Sequence, residues 1–237
     1  MPLDRSRNLH TQVATRPGPA AELGYRIIVK IGRGLARWYW RLDVVGTERV
    51  PTTGGFVLAP VHRSNVDFAL AALGTPRRVR WMAKHTIFTG PLVDRFLLTF
   101  GAFPVNREIA DRAALVTCER LVAAGEPVVM FPEGRRKEGP VIEDTFAGPA
   151  FVAARQRVPI VPMGIGGSEA AMPIGKRMIR PARITLVIGE PIYPDVELEG
   201  RVPRAAIDAF AAELRDELQR VYDMACSTAI SAGPKPA

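Results

Sequence analysis

Apolar residues fall into short blocks along this chain, and the blocks are of two kinds. Segments 55–60 (GFVLAP), 79–84, 101–105, 127–131, 159–163 and 184–189 are brief, nearly continuous apolar runs bounded by glycine, proline or charge, as expected of buried strands. Between them, 66–73, 91–100, 108–124, 146–157 and 204–225 carry apolar residues at helical spacing. Alternating strands and helices predict an α/β fold: a single domain with a largely parallel central sheet flanked by helices.

Ahead of the first strand, residues 22–42 (ELGYRIIVKIGRGLARWYWRL) follow a different rule. Arg26, Lys30, Arg33, Arg37 and Arg41 recur at steps of four, three, four and four, so on a helix they share one arc. Ile27, Ile28, Ile31, Leu35, Trp38, Tyr39 and Leu42 take the facing side. This predicts a basic amphipathic helix over 20–43 that lies in a headgroup layer, with Arg26, Lys30, Arg33, Arg37, Trp38 and Arg41 as its membrane-binding residues. The plainer reading is a solvated charge face on a helix packed against the core, and Gly32 and Gly34 weaken the helix in either case. Residues 1–19 lack the apolar stretch of a secretory signal and read as a loose tail, 44–226 as the folded domain, and 227–237 as a second fraying tail.

Charge narrows the class of partner. Against 24 acidic residues stand 32 basic ones, a net +8 that favours an anionic partner. Interleaving of arginine and aromatic residues is confined to the first helix, which argues for phospholipid and phosphate and against nucleic acid. No uninterrupted apolar run reaches the roughly 18 residues a membrane span needs, so the expected association is peripheral, at the cytoplasmic face of the cell membrane. Cys118 and Cys226 sit in neither a disulfide nor a zinc spacing, which suits a reducing compartment.

The residues capable of chemistry gather where strands end. VHRSNVDF (61–68) follows the first strand, GAFPVNRE (101–108) ends another at Arg107, and FPEGRRKEG (131–139) ends a third with Glu133, Gly134, Arg135 and Arg136. Ligands of open α/β sheets bind outside the carboxyl ends of strands, so the three loops are expected to converge. On one continuous helix His62 and Asp67 would point about 140° apart, so they meet only if the helix starts between them. Ser64 is a suitable N-cap, placing Asp67 as the acid of an S-x-x-D capping box. Asp67 then serves the helix start alone, or it also orients His62 as a general base. Ser64 lacks the G-x-S-x-G setting of a nucleophile, and neither His10 nor His85 supplies a metal-ligand spacing, so no metal is expected.

Taken in order, these segments resemble the glycerolipid acyltransferase family, the 1-acyl-glycerol-3-phosphate acyltransferases and their glycerol-3-phosphate relatives. H-x4-D is met by His62 and Asp67, the second block by Gly101 through Arg107, F-P-E-G by Phe131 through Arg136, and the proline-ended apolar block by 158–163. The segment AKHTIF resembles the family's lysine-bearing stretch at Lys84, while Val61, Asn106 and Arg135 depart from the usual residues. The resemblance implies transfer of an acyl group from acyl-CoA or acyl carrier protein to the hydroxyl of lysophosphatidic acid, with no cofactor beyond that co-substrate. It further implies His62 as base, Asp67 as its partner, Lys84, Arg107 and Arg136 on the acceptor phosphate, and Glu133 positioning the glycerol or one of those cations. Glycerol 3-phosphate or another lysolipid is the alternative acceptor, and a non-catalytic lipid-binding protein the alternative of another class.

Overall fold

The structure, a computed structural model, describes residues 18–105, 112–176, 178–196 and 200–231. Its elements in order are α1 (Pro19–Tyr39), β1 (Asp43–Val45), β2 (Val57–Pro60), α2 (Asp67–Gly74), β3 (Arg80–Lys84), α3 (Pro91–Thr99), β4 (Ala102–Val105), α4 (Arg112–Ala123), β5 (Val128–Val129), α5 (Gly148–Gln156), β6 (Ile160–Gly166), α6 (Ser168–Ala171), β7 (Thr185–Ile188) and α7 (Arg204–Ser231). The strands form one sheet in the order β1-β7-β6-β2-β5-β3-β4. Five neighbouring strands, β6 through β4, run parallel; β7 pairs antiparallel to β6, and β1 runs alongside β7. The α/β fold with a largely parallel sheet is therefore present, with a reversed two-strand edge.

Side chains alternate across the sheet as the pleat requires. Phe56 and Leu58 face one core with α1, α2 and the second half of α7, while Val57 and Ala59 face the other with α4, α5 and the first half of α7. Helix α7 can serve both cores because it crosses β6 at backbone contact. A Cβ on Gly164 would lie 2.2 Å from the Val221 carbonyl oxygen, and one on Gly166 2.4 Å from that of Ala225, so both positions exclude any larger residue.

Helix α1 opens with Pro19 in its first turn and carries Glu22 there and Arg37 at the far end, each sign favourable to the helix dipole. It seats Tyr25 and Ala36 in the core. Leu23, Ile27, Ile31, Leu35 and Trp38 point outward, Trp38 at 78% exposure, so the apolar stripe is not the face that packs. Two expectations for its cations change. Arg33 donates from Nε to the Leu73 carbonyl at 2.8 Å and from Nη2 to that of Thr75 at 3.0 Å, capping α2 and not facing outward. Arg41 lies beyond the helix end in a left-handed turn (φ 46°), where the Leu42 N–H reaches the Ala36 carbonyl and Leu42 becomes buried. Arg26, Lys30 and Arg37 stay exposed on the flank of the stripe. Among the described residues no helix is long and apolar enough to cross a membrane.

The chain end is also corrected. The tail expected from residue 227 is helical through Ser231, with the Thr228 and Ser231 hydroxyls donating back to the carbonyls of Met224 and Ser227. The expected helix over 108–124 is seen from Arg112, and residues 106–111, with Arg107, lie outside the described residues, as do 1–17 of the expected N-terminal tail. Strand β1 and the short α6 carry too few residues to leave a pattern and were not anticipated.

Candidate active site

Strand β2 ends at Pro60 and α2 begins at Asp67, so the six residues between them form a turn at the carboxyl edge of the sheet. Asp67 is fully buried in it. Its Oδ2 accepts the backbone N–H of Arg63 at 2.7 Å and of Ser64 at 2.6 Å, and lies 3.1 Å from Nδ1 of His62. The carboxylate half of the expected capping box is thus present. The serine half is long: Ser64 Oγ accepts the Val66 N–H at 3.5 Å while donating to the Met172 carbonyl at 2.8 Å, which ties this turn to the segment after α6. A buried oxygen held by two peptide N–H groups fixes the imidazole, and with Nδ1 donating, Nε2 is left as the basic nitrogen. The His62 ring also stacks on Phe131, 4.2 Å between centroids, which restricts its rotation.

Beneath the histidine lies a charge pair that the motif spacing did not disclose. Arg63 and Glu133 are both 1% exposed, and Arg63 Nη1 donates to Glu133 Oε1. The second carboxylate oxygen, Oε2, accepts the His62 backbone N–H at 2.8 Å. Burial works against charge on Arg63, but the hydrogen bond and attraction of Glu133 outweigh it and hold the guanidinium pKa above its ordinary value. Glu133, expected to position the glycerol or one of Lys84, Arg107 and Arg136, is buried and engages Arg63 and the His62 backbone, contacts the expectation did not include. It joins the first motif to the third.

Helix α7 supports this pair from below. The Tyr222 ring sits under the Arg63 guanidinium at 4.9 Å and its hydroxyl donates to Glu169 at 3.0 Å, with burial raising the phenol pKa. Gln219 accepts the Ile142 N–H at 2.7 Å and donates to the Pro140 carbonyl at 3.0 Å, pinning the loop that follows FPEGRRKEG. In the sequence Tyr222 and Gln219 showed only helical periodicity, and Arg63 was one basic residue among 32.

The remaining residues take up the neighbouring strand ends. Gly134 has φ 66°, and a Cβ there would meet the Phe146 ring at 2.5 Å. After it, Arg135 and Arg136 leave the turn with side chains that make no hydrogen bond or ion pair among the described residues. Lys84 ends β3, exposed; with β5 between β2 and β3, its strand lies about 10 Å from that of His62. A histidine with one ring nitrogen turned to a buried carboxylate, with Arg135 and Arg136 after the adjacent strand β5 and Lys84 at the end of β3 beyond it, can accept a proton from a nucleophile that carries an anionic group.

The chain is similar to known proteins over the segment that carries this site. The family model described as Acyltransferase matches residues 41–166, which hold His62, Asp67, Lys84 and Glu133 through Arg136. A 1-acyl-sn-glycerol-3-phosphate acyltransferase of Bacillus subtilis is 31% identical over 153 residues, 64% of this chain and 74% of that protein. One from Chlamydomonas reinhardtii is 29% identical over 187 residues, 76% of this chain but 55% of its own length, so the chain spans about half of that relative. The crystal structure of the 1-acyl-sn-glycerophosphate (LPA) acyltransferase PlsC from Thermotoga maritima matches over 100% of both chains, with a TM-score of 0.71 at 21% identity, a likeness of fold.

Proposed function

The chain belongs to the acyltransferase family, and from that premise we propose that it moves a fatty acyl group from an acyl thioester to the free hydroxyl of 1-acyl-glycerol 3-phosphate, giving phosphatidic acid. The observation that carries this reading is the 3.1 Å approach of His62 Nδ1 to a buried Asp67 oxygen already fixed by two backbone N–H groups. A hydroxyl at neutral pH is almost wholly protonated, whereas a thioester is already activated, so the reaction needs a base more than an activated carbonyl. Nε2 of His62 takes the proton as the oxygen attacks, and Asp67 stabilises the imidazolium. The tetrahedral intermediate then collapses, expelling the thiolate, which recovers the proton. General-base help of this kind is worth roughly a hundred- to ten-thousand-fold.

Lys84, Arg135 and Arg136 are read as the cations that hold the acceptor phosphate, joined by Arg107. Fixing the phosphate sets the hydroxyl beside His62, the orientation component of the rate. Arg63 and Glu133 bind no substrate in this scheme and keep the histidine backbone in place.

Association with a phospholipid surface is part of the same reading. The outward stripe of α1 is an apolar face with no protein partner among the described residues, flanked by Arg26, Lys30 and Arg37. Neighbouring α3 adds exposed Leu92 and Phe96. An apolar strip edged by cations suits peripheral insertion at an anionic leaflet, here the cytoplasmic one.

The test is an assay of the purified chain with 1-acyl-glycerol 3-phosphate, glycerol 3-phosphate and other lysolipids in competition, read by product mass. Phosphatidic acid should dominate. A different dominant product would replace the acceptor, and no acyl product with any of them would overturn the reading.

A further inference from the structure

We infer that a cavity on the sheet face opposite α1 receives the nucleotide end of an acyl-CoA donor, an inference that rests on the thioester-transfer reading above. The cavity, about 960 Å³, lies where α4, α5 and the start of α7 meet. Arg112, Arg155, Arg157, Arg201 and Arg204 edge it, and Leu115, Phe151 and Ile207 form an apolar floor. Two carboxylates face these cations: Glu119 pairs with Arg155 at 3.1 Å and Asp208 with Arg204 at 3.1 Å. Arg157 donates to the Gly200 carbonyl at 3.5 Å, and Arg112 and Arg201 make no ion pair among the described residues.

Shape and charge together select the occupant. The Arg155 guanidinium lies over the Phe151 ring at 5.4 Å; such a planar cation on an apolar floor accepts a planar base by stacking, and the other guanidinium groups at the rim match phosphate oxygens in bidentate fashion. The docking helix of a carrier protein would need a broad open face instead, since protein interfaces spread over some 800 Å² per partner. Position agrees as well. At one end the cavity is lined by Gly148, two residues beyond the Phe146 ring that packs on Gly134; at the other by Arg155 and Arg157. Helix α5 rises about 13 Å between them. A pantetheine arm laid along it leads from the phosphates to the strand end that bears His62. The two faces of the sheet then divide the donor by polarity, the charged nucleotide on the face away from α1 and the acyl chain toward the apolar one.

The experiment uses the full chain and two probes. Adenosine 3′,5′-bisphosphate is titrated calorimetrically, and turnover is compared with palmitoyl-CoA and with palmitoyl-pantetheine, which lacks the nucleotide. Wild type should bind the bisphosphate. The Arg112→Gln/Arg201→Gln/Arg204→Gln variant, altered only at exposed side chains and checked by its melting temperature, should bind it about tenfold or more weakly. Its KM for palmitoyl-CoA should rise by a similar factor with kcat retained, and its kinetics with palmitoyl-pantetheine should not change. Absence of bisphosphate binding to wild type, or an equal rise in KM for both donors, overturns the assignment. Transfer from acyl carrier protein without bisphosphate binding would remove the nucleotide site and leave the transfer reading standing; bisphosphate binding without transfer from any thioester would do the reverse.

Discussion

At Asp67 one oxygen accepts two backbone N–H groups and faces the imidazole, so a single substitution should disturb both folding and chemistry. Asp67→Asn is expected to cost about 1–3 kcal/mol of stability through weakened buried hydrogen bonds and to lower kcat, as read by denaturant melts alongside steady-state rates. His62→Ala removes only the base. Its kcat should fall by roughly a hundred- to ten-thousand-fold with little change in melting, and undiminished thiol release would refute the assigned base. Arg63 and Glu133 separate in another way: either Arg63→Met or Glu133→Leu alone should destabilise by about 3–5 kcal/mol, and the combined Arg63→Met/Glu133→Leu by less than the sum of the two single losses. Strict additivity in that cycle would show that the pair does not interact. The His62–Asp67 relation was legible in the sequence because it is local, five residues across one turn. Arg63–Glu133 was not, since its partners are 70 residues apart and a lone arginine in a basic chain carries no pattern.

Among the elements, α1 shows how far periodicity reaches. Its wheel separated cations from apolar residues correctly, but periodicity could not say which face would pack. The buried sector is a third one, around Tyr25 and Ala36, and Arg33 belongs to the anchoring of α2. Removing the whole helix would therefore strip core contacts together with the exposed stripe. Ile27→Ser/Ile31→Ser/Trp38→Ser is the cleaner change: it should leave melting within about 0.5 kcal/mol while reducing co-sedimentation with anionic vesicles. Unchanged sedimentation would argue that the stripe does not carry binding. The strands were readable as apolar blocks, whereas the reversed edge formed by β1 and β7 was not, because strand direction within a sheet leaves no mark on a four-residue run.

For the molecule as a whole, burial sets an alkaline limit. Cys118 is enclosed between α4 and the sheet, and burial raises its thiol pKa from 9.0 to about 12. The folded thiol stays neutral while the unfolded one ionises, so this contribution is present below pH 9 and lost as pH rises toward 12, at roughly 1.4 kcal/mol per pH unit. Tyr25, Tyr222 and Cys226 are raised by burial in the same sense. Unfolding free energy measured from pH 8 to 11 should fall steadily, less steeply in Cys118→Ala; a flat profile would contradict the assignment. The fold class and the order of the motif loops were visible in the chain because local patterns encode them. The role of α7 was hidden, since it acts through Tyr222 and Gln219 on a site formed some 80 to 160 residues earlier.

On the proposed seating at a lipid surface, the outward stripe on α1 has a kinetic consequence. An enzyme seated by it in a leaflet meets its lysolipid by lateral diffusion, so the relevant concentration is a mole fraction in the plane. Adding inert neutral lipid at constant total enzyme and acceptor should then slow turnover by surface dilution, even though the bulk concentration of every reactant is unchanged.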